Sequence, residues 1–170
     1  MQTNVLVTGG AGFIGSHIVR ELRARGEHVR VLDNFSTGKR ANLFEVARDV
    51  ELIEGDIRDS DSCIKACKGI DNVYHLAALG SVPRSIADPL TTDDVNIHGM
   101  LNMLVASKDC GVQRFVFSSS SSVYGDATEK FKHEGLRPSP LSPYAVSKLT
   151  GEEYCRVFHK AYGLDAALRA

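Results

Sequence analysis

Seven residues near the N-terminus, Gly9-Gly10-Ala11-Gly12-Phe13-Ile14-Gly15, constrain this chain more than any others. They follow a β-branched and leucine run at 5–7. They also open a stretch, 13–25, with helical spacing: Ile14, Ile18, Val19 and Leu22 fall on one side and charges on the other. Gly26 stands where a helix-ending glycine belongs. Gly10, Gly12 and Gly15 fit the spacing GxGxxG, and Gly9, Gly12 and Gly15 fit GxxGxxG. Under either, the first glycine permits a tight turn and the middle one lets the backbone approach a pyrophosphate. The last lets the helix pack close to the strand. The helix that opens here aims free N–H groups and its positive dipole end at the phosphates. Asp33 stands 18 residues beyond Gly15, near the spacing of about 20 at which a strand-end carboxylate accepts ribose hydroxyls. A carboxylate there repels a 2′-phosphate, so the expected cofactor is NAD. Arg30, Lys39 and Arg40 are the cations that would accommodate NADP; otherwise they are solvated surface charge. The bland alternative for the loop, a glycine-rich turn beside a surface aspartate, does not account for the strand–turn–helix context.

The alternation of strand and helix continues along the chain. Strands are expected at 29–32, 50–53, 72–77 and 114–118, with a sixth beginning at 165–168. Helical patterns cover 39–48, 60–68, a long 89–110 ended by Gly111, and 143–162 ended by Gly163. Residues 124–141 read as loop, with Pro138 and Pro140. Such alternation predicts an α/β fold: a doubly wound parallel sheet with helices on both faces.

Composition narrows the class further. The chain has 170 residues, 43% of them apolar, enough for one domain with a real core. Lys and Arg number 20 against 21 Asp and Glu, so there is no basic field for nucleic acid. No apolar run approaches a membrane span, and the N-terminus lacks a signal-peptide pattern. Cys63, Cys67, Cys110 and Cys155 lie in helical patterns or close one. Cys63 and Cys67 share a helical face, but no CxxC or His pair accompanies them. They read as small buried thiols of a cytoplasmic protein, with no metal.

In a doubly wound sheet, ligands bind at the carboxyl ends of the strands, and three more motifs fall there. Asp56, after the third strand in Gly55-Asp56-Ile57-Arg58-Asp59, can accept from an adenine amino group while Ile57 packs on the ring. The alternative is a turn role for Asp56, with Asp59 or Ser60 capping the next helix. Ser118 to Ser122 ends the fifth strand. Tyr144-Ala145-Val146-Ser147-Lys148 opens the last helix, with Tyr144 and Lys148 one turn apart on one face. A tyrosine phenol, which in water ionises only near pH ~10, is a poor base at neutral pH, and a neighbouring cation stabilises its phenolate. Tyr144 is then a candidate general base for a sugar hydroxyl, held by a serine. Taken alone, YxxxK also fits an ordinary half-buried tyrosine with a solvated lysine.

Together these residues resemble the extended short-chain dehydrogenase/reductase superfamily, the NAD-dependent epimerase/dehydratase family within it, and the UDP-sugar 4-epimerases (isomerases) most closely. The carriers are residues 8–17, 33–38, 55–59, 75–85, 118–125 and 143–148. The resemblance implies a Rossmann domain over 1–170. Gly9, Gly12, Phe13, Ile14 and Gly15 would cradle the pyrophosphate, and Asp33, Asn34, Ser36, Gly38, Asp56 and Ile57 would hold the adenosine half. Leu76, Ala77 and Ala78 would line the cleft, and Asn96 matches the asparagine of the long helix that faces the cofactor. Ser120, Tyr144 and Lys148 match the catalytic set, with Ser121 a second serine. Gly80, Ser81 and Arg84 sit where the branch acting on UDP-N-acetylhexosamines contacts substrate; otherwise they form a turn around Pro83.

Dehydratases of the family carry an Asp-Glu pair, and decarboxylases its Glu, where this chain has Ser121 and Ser122. The resemblance therefore favours epimerisation over those reactions. It also implies a homodimer formed by the helices at 89–110 and 143–162, unless outward residues such as Leu104 and Phe158 pack within the chain. Family members continue for nearly as long again, so the expectation is a sheet incomplete at the sixth strand, without the substrate domain. The corresponding alternative function is a non-catalytic NAD-binding module.

Overall fold

The computed structural model describes residues 2–127 and 131–169. Six strands form one parallel sheet in the order β3-β2-β1-β4-β5-β6. They are β1 (Asn4–Thr8), β2 (His28–Asp33), β3 (Val50–Glu54), β4 (Asn72–His75), β5 (Arg114–Ser118) and β6 (Asp165–Arg169). The strand order reverses between β1 and β4, which is the switch point where such sheets open a crevice.

Side-chain alternation along each strand builds two cores. Leu6, Leu32, Val73, Phe115 and Phe117 point to one face. There they meet α2 (Ser60–Cys67), α5 (Gly99–Asp109) and α6 (Pro143–Tyr162) through Cys63, Met103 and Phe158. Val5, Val7, Val29 and Val31 point to the other, against Val19 and Leu22 of α1 (Phe13–Ala24) and against Leu43. The expected doubly wound sheet is therefore present.

Helix α1 begins where the backbone of the glycine loop touches it. A Cβ on Gly15 would stand 2.2 Å from Gly9 O and 2.8 Å from Gly10 Cα, so only glycine lets the helix start this close to β1. The long helix α6 is set off by Ser142, whose Oγ accepts from Ala145 N, with Pro143 in the first turn. It ends at Gly163 with φ 73°.

Several elements differ from the sequence expectation, each for a local reason. The helix expected at 39–48 is a 3-10 turn, Arg40–Val46. Strand β4 stops at His75 rather than Ala77: Leu76 N is shared between Thr8 O and Thr8 Oγ1, and Ala77 N turns to Thr8 Oγ1, each at 3.2 Å. The helix expected at 89–110 divides into α4 (Pro89–Asp93), a π turn Asp94–His98, and α5. An unforeseen helix, α3 (Val82–Ala87), occupies the expected turn around Pro83; Ser81 Oγ caps it by accepting from Arg84 N. Strand β6 pairs with β5 from Arg114 to Ser118, the full length of β5, where the sequence expectation is a sixth strand only beginning at 165–168. Leu104 and Phe158 are buried within the chain, while Val105, Val146 and Val157 stay 40–53% exposed on α5 and α6.

All four cysteines are free. Burial pushes the thiols of Cys63 and Cys155 up to about 12 and that of Cys67 up to about 11. No cluster of metal-binding side chains occurs among the described residues, and no described helix is long and apolar enough to cross a membrane. A thiol reagent added to native protein at pH 8 is expected to label Cys110 first, the one cysteine that is not fully buried. The other three should react only on unfolding, and fast native labelling of Cys63 or Cys155 would contradict the packing.

Candidate functional site

A cleft of about 260 Å³ opens at the switch point. Its floor is the glycine loop, with Gly9 and Gly12. One wall is the β2 exit, with Asp33, Asn34, Ser36 and Gly38; the other is the β4 exit, from Leu76 to Leu79. Asp56, Ile57 and Arg58 of the β3 exit close the outer end together with Thr91 and Val95. Helix α1 points at this cleft with no side-chain cap and no acidic residue in its first turn. Its first N–H donors and positive dipole end are thus left for an anion. Phe13 and Ile14 are 80% and 60% exposed there, so their contribution is the backbone. The donor set fits a dinucleotide pyrophosphate.

Asp33 is more committed than its position in the sequence indicates. Its Oδ2 accepts from Ala11 N at 2.9 Å and its Oδ1 from Phe35 N at 2.8 Å. The carboxylate first ties the glycine loop to the β2 exit, and each oxygen keeps a lone pair for a ribose hydroxyl. Phe35 takes a left-handed φ of 56° in that turn, with the Arg40 guanidinium 4.1 Å over its ring. Arg40 also pairs with Glu54. Arg30 lies on Glu51 and on the carbonyls of Ala66 and Lys68. Arg30 is therefore engaged away from the β2 exit, and Arg40 is held between Phe35 and Glu54. Asp56 is paired with Arg58, whose hydrogen bonds hold its carboxyl well below the usual range.

The β5 exit is sewn to α6 at successive residues. Lys148 is buried, and its Nζ donates to Ser118 O at 2.9 Å. The amine lies 4.8 Å from the Phe117 ring centroid and 5.9 Å from that of half-buried Tyr144. A Cβ on Gly151 would stand 2.6 Å from Phe117 Cζ, so the absence of a side chain there allows this close packing. Burial lowers the Lys148 ammonium to about 8. Ser119 donates to the buried carboxylate of Glu152, one turn beyond Lys148. Ser120 Oγ accepts from Ser122 N at 3.2 Å and from Ser122 Oγ at 2.9 Å, leaving its own proton to donate. Ser121 is exposed.

Other expected site residues serve differently. Asn96 is buried, and its amide is spent within the protein. Its Oδ1 accepts from Leu79 N at 2.7 Å, and its Nδ2 donates to Leu79 O and Ser147 Oγ. It ties the β4 exit to α6 instead of turning its amide to the cofactor. Gly80 is exposed ahead of α3, Arg84 is exposed within it, and Ser81 caps that helix; none of the three lines the cleft.

Sequence reasoning missed Thr8, His75 and Glu152. The Thr8 hydroxyl accepts from Ala77 N, shares Leu76 N with its own carbonyl oxygen, and is hydrogen-bonded to His75 Nδ1, 2.9 Å away. Burial, with Lys148 nearby, pushes His75 down to about 3. A signal for Glu152 existed, since it continues the four-residue spacing of Tyr144 and Lys148.

Comparison with known proteins agrees with this geometry. The family model described as NAD dependent epimerase/dehydratase family matches residues 5–169. The UDP-glucose 4-epimerase of Lacticaseibacillus casei is 41% identical over 168 residues, which are 97% of this chain and 50% of that protein. The structure of the Thermus thermophilus UDP-glucose 4-epimerase in complex with NAD superposes with a TM-score of 0.92 at 44% identity. It covers 98% of this chain, which spans 54% of that one. A UDP-N-acetylglucosamine 4-epimerase from Methanobrevibacter ruminantium, in complex with UDP-N-acetylmuramic acid, also gives 0.92, at 42% identity. There the coverage is 99% of this chain and 54% of that one. The chain thus spans about half the length of the relatives it matches.

Lys148 carries a measurable electrostatic cost. Its folded pKa, about 8, lies below the unfolded value of about 10.4. Below pH 8 both states hold the proton and the full cost is present. Between the two values the folded protein releases it first, so stability from this group rises with pH. Relative to Lys148→Met, wild-type stability is expected to rise by up to roughly 3 kcal/mol from pH 7 to pH 10.5. Urea denaturation at both pH values checks this, and a pH-independent difference would contradict the burial.

Proposed function

Because the chain belongs to the NAD dependent epimerase/dehydratase family, we propose that it is the cofactor-binding and catalytic half of an NAD-dependent UDP-hexose 4-epimerase. The observation that carries this reading is Lys148. It is a buried amine pinned to Ser118 O beside Tyr144, at the strand end next to the dinucleotide cleft. NAD, when bound, supplies a reversible acceptor for the hydride from C4 of the sugar.

The chain's own groups do the rest. Gly9 N and Gly12 N are spent on Leu32 O and Gly9 O, so the N–H groups of the first turn of α1, Phe13 to Gly15, hold the pyrophosphate, Asp33 holds the ribose hydroxyls, and Leu76 to Ala78 wall the cleft. Tyr144 takes the 4-OH proton as C4 is oxidised and returns it after the keto sugar has turned over. Lys148, its amine 5.9 Å from the Tyr144 ring centroid, would place positive charge beside the phenol and donate to the hydroxyls of the nicotinamide ribose. Ser120, with its lone pairs filled by Ser122, donates to O4 and leaves proton acceptance to Tyr144.

Ser121 and Ser122 supply no carboxylic acid, which disfavours dehydration and decarboxylation. The match of Gly80, Ser81 and Arg84 to the N-acetyl branch supports a UDP-N-acetylhexosamine as substrate. The exposed Val105, Val146 and Val157 support a homodimer through α5 and α6, and the four free thiols support a cytoplasmic location. A second reading is a non-catalytic NAD-binding module, in which the cleft holds the dinucleotide without turnover. The resemblance puts the grip on UDP and sugar in the other half. Remote binding contacts supply much of the positioning that catalysis needs.

Titration of the 170-residue chain is expected to show NAD binding clearly tighter than NADP binding, and the reverse order would remove the cofactor assignment. Incubated with NAD and UDP-N-acetylglucosamine, the chain alone is expected to give no useful turnover. Joined to the second half of the Thermus relative, it should yield the galacto epimer by NMR, and a 4-keto-6-deoxy sugar or a pentose would refute epimerisation. In that fusion Tyr144→Phe should lower kcat by roughly 100-fold or more, and near-full turnover would exclude Tyr144 as the base.

A further inference from the structure

The outer end of the cleft is closed by a charged group that the reaction does not use. Arg58 Nε and Nη2 reach Asp56 Oδ1 and Oδ2 at 3.0 and 2.8 Å, and Arg58 N adds a bond of 2.9 Å to Oδ1. Asn34 Nδ2 donates to Oδ2 at 2.8 Å. A carboxylate offers about four acceptor positions, and here all four are taken, three of them by Arg58. On its far side Arg58 Nη1 reaches Asp94 Oδ2 at 3.2 Å. The arginine therefore braces the β3 exit against the π turn of the long helix, beside Thr91 and Val95 of the cleft wall.

Asp56 cannot swing under this fork, and its oxygens face fixed directions. One of its four bonds is exchangeable. Asn34 is exposed, its donor is neutral, and its Oδ1 stays bonded to Ser36 N at 3.0 Å when Nδ2 lets go. An incoming N–H donor can take that place without disturbing Arg58. A carbonyl oxygen in the same place would meet a carboxylate oxygen, two acceptors face to face. Bidentate pairing of this kind needs a planar guanidinium and is lost with a lysine ammonium.

We propose that Arg58 is a positioning residue that sets the nucleobase selectivity of the cleft. It holds Asp56 fixed and anchored to Asp94, so that one acceptor position is kept for the exocyclic amino group of an adenine. The inference rests on the reading that the cleft holds the adenosine half of NAD. It adds the assignment that selection for the amino group is built by Arg58 and released through Asn34. The Arg58 side chain is 42% exposed, and ion pairs at such sites add little to folding, so its variants are expected to fold.

The test compares NAD with nicotinamide hypoxanthine dinucleotide, which carries an oxo group in place of the amino group. Both are titrated into the wild-type chain, Arg58→Gln, Arg58→Lys and Asp94→Asn. A hydrogen bond to a charged acceptor implies a wild-type preference for NAD of roughly tenfold or more. Arg58→Gln is expected to cut that preference to about threefold or less, while affinity for the hypoxanthine dinucleotide stays within about twofold of wild type. Arg58→Lys and Asp94→Asn should fall between. An unchanged preference in Arg58→Gln, an equal loss of both dinucleotides, or a wild-type chain with no preference would overturn the proposal. Binding of neither dinucleotide by wild type would refute the cofactor reading itself, and the proposal with it.

Discussion

The contact between the glycine loop and the start of α1 governs the rest of the molecule. A single Cβ on Gly15 would overlap Gly9 O at 2.2 Å, and that oxygen belongs to the backbone, which cannot swing aside. Because the helix starts that close to β1, its uncapped N-terminus opens directly over the end of the sheet. The same approach lets Ala11 N reach Asp33 Oδ2 and Ala11 O accept from Lys39 N and Asn42 Nδ2. A larger residue at position 15 would therefore lift the helix and loosen the β2 exit together. The uncapped start of α1, the placement of Asp33 and the packing of α1 on Val5, Val7 and Val31 are consequences of one close approach.

Much of this was legible in the sequence because it depends on short-range patterns. Strand runs such as 5–7 and 114–118, the helix-closing Gly163 and the Ser142-Pro143 start of α6 each carry their signal within a few residues. What escaped depends on partners far along the chain. The π turn surrounds Asn96, whose partners are Leu79 and Ser147, and no local pattern in 89–110 announces it. The early end of β4 depends on Thr8, 68 and 69 residues before its two donors. The residue types at the site were readable, whereas their allegiances were not. Asp33 and Asp56 were found as carboxylates at strand ends, but their bonds to Ala11, Phe35 and Arg58 required the fold.

Those bonds divide the polar groups at and behind the strand exits into two kinds. Some are fully committed to the scaffold: Asn96 to Leu79 and Ser147, Thr8 to His75 and the β4 exit, Ser119 to Glu152. Others keep an unfilled valence. Asp33 retains a lone pair on each oxygen, Ser120 retains its proton, and the first N–H groups of α1 retain theirs. Buried polar groups must be paired or they cost stability, so the committed set fixes geometry. The partly committed set is what a ligand can address.

Lys148 shows how these two demands meet in one side chain. Its burial is unfavourable to the charge, and the group is lowered to about 8 for that reason. One bond to Ser118 O does not fully replace water around an ammonium with three donors. The remaining donors are what a ribose hydroxyl or a phenolate can satisfy. A ligand that does so stabilises the charged form and raises its pKa again, which is the linkage expected when a binding site bears a desolvation cost before its ligand arrives. The same residue that costs the scaffold stability therefore keeps donors that a ligand can satisfy.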